Sequence, residues 1–333
     1  MRVLFDHPDP FLLAHGGYQI QIEQTKKALE GMGVEVEWLR WWDDKQNGDL
    51  IHYFGKPTSS YVDFAHAKGY KVVASLILSG TTAKSGLVLS LQKIITRNLI
   101  RLKIRRVSEL ARWESLRKVN GVIFLTKLEA DLGKALWILD PKKAHIVPNG
   151  VSREFIEAGK EQKTKQGEHL LYVATIRDLK RNAEVAQAAR VAQVPIKFLG
   201  APYSENGLYY KKFLQAVKEA APFAEYIGLA RTTEELICEY KKARGVVLLS
   251  KMEGLSLAVL EAGAMGLPAL LSRKPWAVQE YGNQVSYADI ENMSNEASDI
   301  RRFWENASTA PRIKSISGWE DVAKKLKDIY LGL

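Results

Sequence analysis

Two carboxylates stand eight residues apart in "SKMEGLSLAVLEAG": Glu253 ahead of a glycine, and Glu261 inside an almost wholly apolar stretch. If a helix begins just after Ser256, then Leu257, Leu260, Ala264 and Met265 recur at the three- and four-residue spacings of one buried face, and Glu261 lies on that face. A buried carboxylate without a partner is costly or takes up a proton. Something polar should therefore meet Glu261, either a protein group such as a buried arginine or a ligand that arrives later. Just upstream, a strand end, a turn through Gly254, Leu255 and Ser256 and a helix N-terminus would aim free backbone N–H groups at one point, which suits an anion. The same residues also read as a plain turn at Gly254 and a plain cap at Ser256.

Three more stretches carry chemistry-bearing side chains. "YVATIRDLKRN" sets Arg177, Lys180 and Arg181 in a loop after an apolar strand. Long cationic side chains suit phosphate oxygens, although a basic solvated loop has the same composition. "HGGYQIQ" opens a helix with Gly16 and Gly17 beside His15, either a phosphate or acceptor loop or an ordinary turn. His15 and His52 are histidines at element ends that read as site groups or as structural ones. No histidine pair has helical ligand spacing, and the single cysteine, Cys238, excludes an internal disulfide and a cysteine-rich metal site, so no metal is expected. No Gly-x-Gly-x-x-Gly or Walker sequence occurs, which removes the usual support for a nicotinamide cofactor or ATP hydrolysis.

The elements that must position these groups alternate. "RVLFD", "DLIHYFG", "KVVASLIL" and "GVIFLT" are apolar strands and "VEVEWL" is a strand with two-residue alternation, in a series of alternating strands and helices, and "AHIVPNGVS" closes this half with a Pro-Asn-Gly turn. The polar run "REFIEAGKEQKTKQGEH" reads as a linker. Alternation then restarts with "LLYVAT", "IKFLG", "AEYIG", "GVVLLS" and "LPALLS" as strands, and "SGWEDVAKKLKDIYLGL" ends the chain as an amphipathic helix. Tandem strand-helix units imply two parallel sheets, each covered on both faces, in an α/β protein whose ligands bind outside the carboxyl ends of the strands, by default in the cleft between the two.

With 333 residues the chain suits two domains. No apolar run approaches the roughly 20 residues of a membrane span, and the N-terminus lacks the order of a signal peptide, so a cytoplasmic protein is expected. The net charge of +10 is uneven. Lys93 to Lys118 holds nine basic residues against two acidic ones and reads as one long helix. Along it Lys93, Arg97, Arg101 and Arg105 recur every four residues, and Leu91, Ile95, Leu99 and Leu102 form an apolar side. Such a helix either packs on its own sheet or meets an anionic membrane at the inner face, peripherally. Nucleic acid is a weaker partner, because no aromatic residues are interleaved as stacking platforms.

"SKMEGLSLAVLEAGAMGLPALLS" resembles the Glu-x7-Glu signature of retaining glycosyltransferases of family 4, which have the GT-B fold of two facing Rossmann-like domains. Ser250, Glu253, Gly254, Leu260, Glu261, Ala262, Gly266 and Pro268 fall in register, and Glu280 lies where the family has a further glutamate. "HIVPNGVS" is similar to the family's hinge, and the final helix to one that crosses back onto the first domain. The resemblance implies an acceptor domain over residues 1–150, rejoined by a helix at about 317–333, and a nucleotide-sugar domain over 151–316. It implies a metal-independent hexosyltransferase that moves a sugar from a nucleoside-diphosphate donor to a glycan, lipid or other hydroxyl acceptor with retention. Glu261 would bind the ribose, and Glu253 would approach the sugar. Gly254, Leu255 and Ser256 would offer amides to the diphosphate, and Lys180 would be its cation, with Arg177 or Arg181 assisting. Two positions depart from the pattern: Ala174 and Thr175 replace Gly-Arg, and Ile77 to Ser79 occupy the region of a frequent histidine. These departures leave open a GT-B-shaped binding protein without turnover, and the basic helix leaves open a nucleic-acid protein.

Overall fold

The structure, a computed structural model, describes residues 1–8, 11, 16–82, 86–102, 112–161 and 167–333. His15 and Arg105 lie outside the described residues. The chain divides into two compact units, Met1–Asn149 with Trp319–Leu333, and Gly150–Gly318.

The first unit begins β1 (Arg2–Asp6), α1 (Gly17–Gly31), β2 (Glu35–Trp38), β3 (Leu50–Phe54), α2 (Ser59–Ala67) and β4 (Lys71–Leu76). It continues α3 (Ser79–Thr82), α4 (Gly86–Arg101), α5 (Trp113–Lys118), β5 (Gly121–Phe124), α6 (Lys127–Trp137) and β6 (Ala144–Ile146). The second runs α7 (Arg153–Glu161), β7 (His169–Val173), α8 (Asn182–Ala192), β8 (Ile196–Leu199), α9 (Leu208–Glu219), β9 (Ala224–Gly228) and α10 (Thr233–Lys242). It ends with β10 (Ala243–Leu248), α11 (Leu257–Ala264), β11 (Ala269–Ser272), α12 (Pro275–Tyr281), β12 (Ser286–Ala288) and α13 (Met293–Asn306), before α14 (Trp319–Gly332) returns to the first unit.

Each unit holds a six-stranded, all-parallel sheet. The first has the order β2-β1-β3-β4-β5-β6, the second β12-β11-β10-β7-β8-β9. The central strands are continuous apolar runs rather than alternating ones because helices cover both sheet faces; all five residues of β3 are buried, whereas the edge strand β2, with two glutamates, is buried only at Val36. Counted from its own first strand, the second sheet has the dinucleotide-fold order 3-2-1-4-5-6, which reverses between β7 and β10. The loops at the carboxyl ends of those two strands are where such a sheet leaves room for a ligand.

Two elements differ from the sequence expectation. The polar "linker" begins as helix α7, because Phe155 and Ala158 share a buried face and Gly159 lies so close to α11 that an added Cβ would sit 1.9 Å from the Ala264 carbonyl oxygen. The basic segment is not one long helix: α4 ends at Arg101, and Arg112, which directly precedes α5, has a left-handed backbone (φ 53°) that cannot continue a helix.

In the first unit α14 buries Trp319, Val322, Ala323, Leu326 and Tyr330, packs on α1, and places the Tyr330 hydroxyl 2.6 Å from His52 Nδ1. His52 Nε2 lies 2.6 Å from Ser75 Oγ, and the imidazole stacks on Phe54. Burial lowers the His52 pKa to about 3, so this histidine ties helix to sheet as a neutral ring. Its contribution is complete above the unfolded value of about 6.5 and is lost as pH falls toward the folded one, by about 2 kcal/mol near pH 5. Compared with H52Q, the parent should therefore lose stability on acidification below roughly pH 6.5 and show no difference in pH slope above it; parallel melting curves for the two would assign the acid sensitivity to other groups.

Candidate functional site

The loop after β7 is held from four sides. At its start Gly200 comes so close that a Cβ there would lie 2.0 Å from the Ala174 carbonyl oxygen, and its φ of +149° is a glycine conformation. Ile176 N–H donates to Ala201 O at 2.8 Å, and Lys251 N–H, from the loop after β10, donates to Leu179 O at 2.8 Å. The buried Tyr172 hydroxyl donates to Lys180 O. Arg181, left-handed at φ 55°, turns inward to Glu296 of α13 at 2.7 and 2.9 Å and to Leu249 O at 3.2 Å.

This placement corrects the expectation for Arg181. Its guanidinium is buried, so Arg181 anchors the loop and does not face a phosphate. Arg177 is half-buried, with its guanidinium 4.9 Å from the centre of the Tyr203 ring, and Thr175 is half-buried in the same loop.

Across the strand reversal, Glu253 leaves the end of β10 and meets Lys180. The ammonium lies 2.5 and 2.6 Å from the two carboxylate oxygens, with 22% of the lysine side chain and 9% of the glutamate exposed. A charge-assisted pair of this kind forms between groups 73 residues apart only because β7 and β10 are neighbours.

Past Glu253, Gly254 is half-buried, Leu255 is buried, and Ser256 is the first flanking residue of α11 in extended backbone. Its hydroxyl makes no capping bond to the helix, and the reading of Ser256 as a side-chain cap is therefore not met. The first turn of α11 thus receives no side-chain cap from Ser256, and a helix N-terminus of this kind suits an anion. Gly254, Leu255 and Ser256 thus lie between Glu253 and this helix end.

On α11 Ala258, Val259, Leu260, Ala262 and Gly263 are buried, as is Met265 just after it, whereas Leu257, Glu261 and Ala264 are half-buried. A helix apolar nearly all round has no periodicity to select its inner face; close contact of Gly263 with Ile313 and Ile316 does so. The partner of Glu261 is neither arginine nor lysine but the buried Tyr240 hydroxyl of α10, which donates to Oε2 at 2.8 Å and also lies 3.0 Å from Ala258 O. Burial pushes the Glu261 pKa up to about 7, with the tyrosine bond opposing. Glu280 lies on α12, its pKa also raised by burial.

In the first unit Gly16 (φ 145°) flanks the start of α1 and Gly17 is its first residue, so a glycine is needed there on backbone grounds. At the end of β1 the Tyr61 hydroxyl donates to Asp6 at 2.6 Å. The turn after β4, where the family histidine is absent, is held by the buried Glu129, which accepts from Leu78 N–H at 2.7 Å and Leu125 N–H at 3.1 Å. The Thr126-x-x-Glu129 spacing, a capping-box pattern, was the available signal for it. His52 is interior and faces no site. Lys93, Arg97 and Arg101 lie on α4, and among the described residues none has an ion-pair partner. Among the described residues no group of three or more His, Cys, Asp or Glu could hold a metal ion.

No protein-family model matches the sequence. A D-inositol 3-phosphate glycosyltransferase of Corynebacterium urealyticum is 26% identical over 246 residues, 64% of this chain and 57% of that protein's length. A sucrose-phosphate synthase from Thermosynechococcus elongatus has a TM-score of 0.70 at 15% identity, covering 99% of this chain and 98% of its own. The Anabaena protein HepE in complex with UDP has a TM-score of 0.70 at 12% identity over the whole of both chains. At such identities the likeness concerns the fold. The chain has the α/β architecture of GT-B glycosyltransferases, with a parallel six-stranded Rossmann-like sheet in each unit.

Two substitutions test the site's energetics. A glutamate whose folded pKa exceeds its unfolded one lowers stability as pH rises between the two values. E261Q should therefore melt above the parent at pH 8, by no more than about 3 kcal/mol, with the gap closing toward pH 4.5; a variant no more stable than the parent would mean the carboxylate is solvated. R181M should cost about 3–5 kcal/mol by leaving Glu296 buried and unpaired, measured by urea unfolding, whereas a loss within about 1 kcal/mol would remove its anchoring role.

Proposed function

We propose that this protein transfers a sugar, a hexose in the simplest case, from a nucleoside-diphosphate donor to a hydroxyl acceptor with retention of configuration. The observation that carries this reading is the Lys180–Glu253 pair at the strand-order reversal of the second sheet, beside an α11 N-terminus that Ser256 leaves uncapped. In this pair each group neutralises the other. A donor diphosphate would draw Lys180 and the α11 amides to its oxygens and free Glu253 to accept hydrogen bonds from sugar hydroxyls. Glu261, ionised above about pH 7, would accept from the ribose diol.

In the reaction the bond between the anomeric carbon and the phosphate oxygen breaks, and a bond to the acceptor oxygen forms. The acceptor proton passes to the departing phosphate. Charge builds on that diphosphate, where Lys180 and the amides, already in place, stabilise it most. These groups supply positive charge from the chain itself, and turnover is expected to persist in EDTA.

Support for a nucleotide-sugar donor comes also from the HepE structures, which hold UDP and UDP-glucose. The Corynebacterium relative is named for D-inositol 3-phosphate, which puts a phosphorylated polyol among acceptors to try, beside glycans and lipids. Ala174 and Thr175 in place of Gly-Arg favour a second reading, a protein that binds the nucleotide sugar without turnover. The experiment is release of nucleoside diphosphate from UDP-, GDP-, TDP- and ADP-sugars, UDP-glucose first, by the parent, E261A and K180A. Release from one donor, reduced at least about a hundredfold by K180A, supports the transferase. Donor binding without release under any acceptor replaces it with the binding protein.

A further inference from the structure

The outward face of α4 carries an inference independent of the donor site. The side of α4 that meets the protein centres on Thr96, its one buried residue, and contacts α6. Leu87, Val88, Leu91, Ile94, Ile95 and Leu102 are 87, 50, 60, 59, 49 and 70% exposed. At about 100° per residue these six fall in an arc roughly 160° to 280° round from Thr96, on the far side of the helix, along roughly 22 Å of its length. The apolar stripe therefore does not pack on the sheet, contrary to one of the two sequence readings, and such a patch on a soluble surface marks an interaction site.

The flanking charge identifies the partner. Lys93, Arg97 and Arg101 line one border of the stripe, and the helix has no acidic residue. A second copy would set these cations against one another unless an acidic surface faced them, whereas an anionic bilayer offers apolar chains to the stripe and phosphates to its border. No helix among the described residues is long and apolar enough to cross a membrane, so α4 would lie in the interface plane.

We propose that α4 is a peripheral docking surface for membranes rich in anionic lipids, with Leu91 and Ile95 entering the acyl boundary and Lys93, Arg97 and Arg101 meeting headgroups. Co-sedimentation with phosphatidylcholine vesicles, pure or with roughly one third phosphatidylglycerol, tests this without using sugar turnover, so failure here leaves the transferase reading untouched. The parent should partition at least about tenfold better onto the anionic vesicles. K93Q/R97Q/R101Q should lower that on the order of a hundredfold, at about fivefold per charge. L91Q/I95Q should weaken binding to both compositions, with circular dichroism unchanged because both positions are exposed. No binding to anionic vesicles overturns the proposal, as does binding indifferent to L91Q/I95Q. A lipid-free dimer by light scattering that L91Q/I95Q dissolves would make the occupant a second copy, and retention on duplex DNA without vesicle binding would make it nucleic acid; either result also overturns the proposal.

Discussion

The buried pair between Arg181 and Glu296 is the constraint on which the second unit's site depends. It joins the loop after β7 to α13, and through Leu249 O to the end of β10. Taking both charges out of water is costly, and replacing the pair with apolar residues would often be no worse for stability. Its value is geometric. It fixes the residue next to Lys180, so the flexible lysine starts from a defined point and reaches Glu253 across the strand reversal. Arginine suits the anchor because its planar fork bonds both glutamate oxygens at once, while the adjacent lysine, a point charge on a mobile stem, can be exchanged between a carboxylate and a phosphate.

Around that anchor the site keeps two unresolved electrostatic tensions. Lys180 and Glu253 satisfy each other, so a ligand must offer the ammonium something better than the carboxylate it already has; a doubly ionised diphosphate does. Among the described residues Glu261 meets Tyr240 alone by hydrogen bond, and burial holds its pKa near neutrality. A core evolved for stability alone would favour glutamine there. The carboxylate makes physical sense if a polyhydroxyl ligand supplies the missing donors, and that links the opening oddity of the sequence to the function proposed.

The strands were legible because parallel strands covered on both faces are short apolar runs, and "KVVASL" and "LLYV" have no other comfortable home. The helix α7 was hidden by its charged residues: two apolar positions, Phe155 and Ala158, and a glycine contact suffice to dock it. The placing of Glu253 and Gly254 in one turn ahead of a helix was legible because both lie in a single loop. The partners of Arg181 and Glu261 were not. Glu296 lies 115 residues from Arg181 and Tyr240 lies 21 from Glu261, separations that only the sheet order closes. The inner face of α11 was read only in part, with Leu260 and Met265 buried as expected and Leu257 and Ala264 not, since in a helix with one polar residue the three- and four-residue spacings fit several faces equally.

The contrast between α11 and α4 shows what sequence periodicity does and does not encode. Both are apolar-rich helices beside a parallel sheet. In α11 the side toward the protein is chosen by small residues, Ala258, Ala262 and Gly263, which allow close approach of backbone and of Ile313 and Ile316. In α4 the side toward the protein centres on Thr96, and the larger aliphatic residues point outward. An amphipathic pattern therefore identifies a face that avoids water without saying whether its own fold supplies the cover. Where the protein leaves bulky aliphatic side chains bare and lines one border of them with cations, the proposed membrane surface, apolar within and anionic at its edge, would supply the cover.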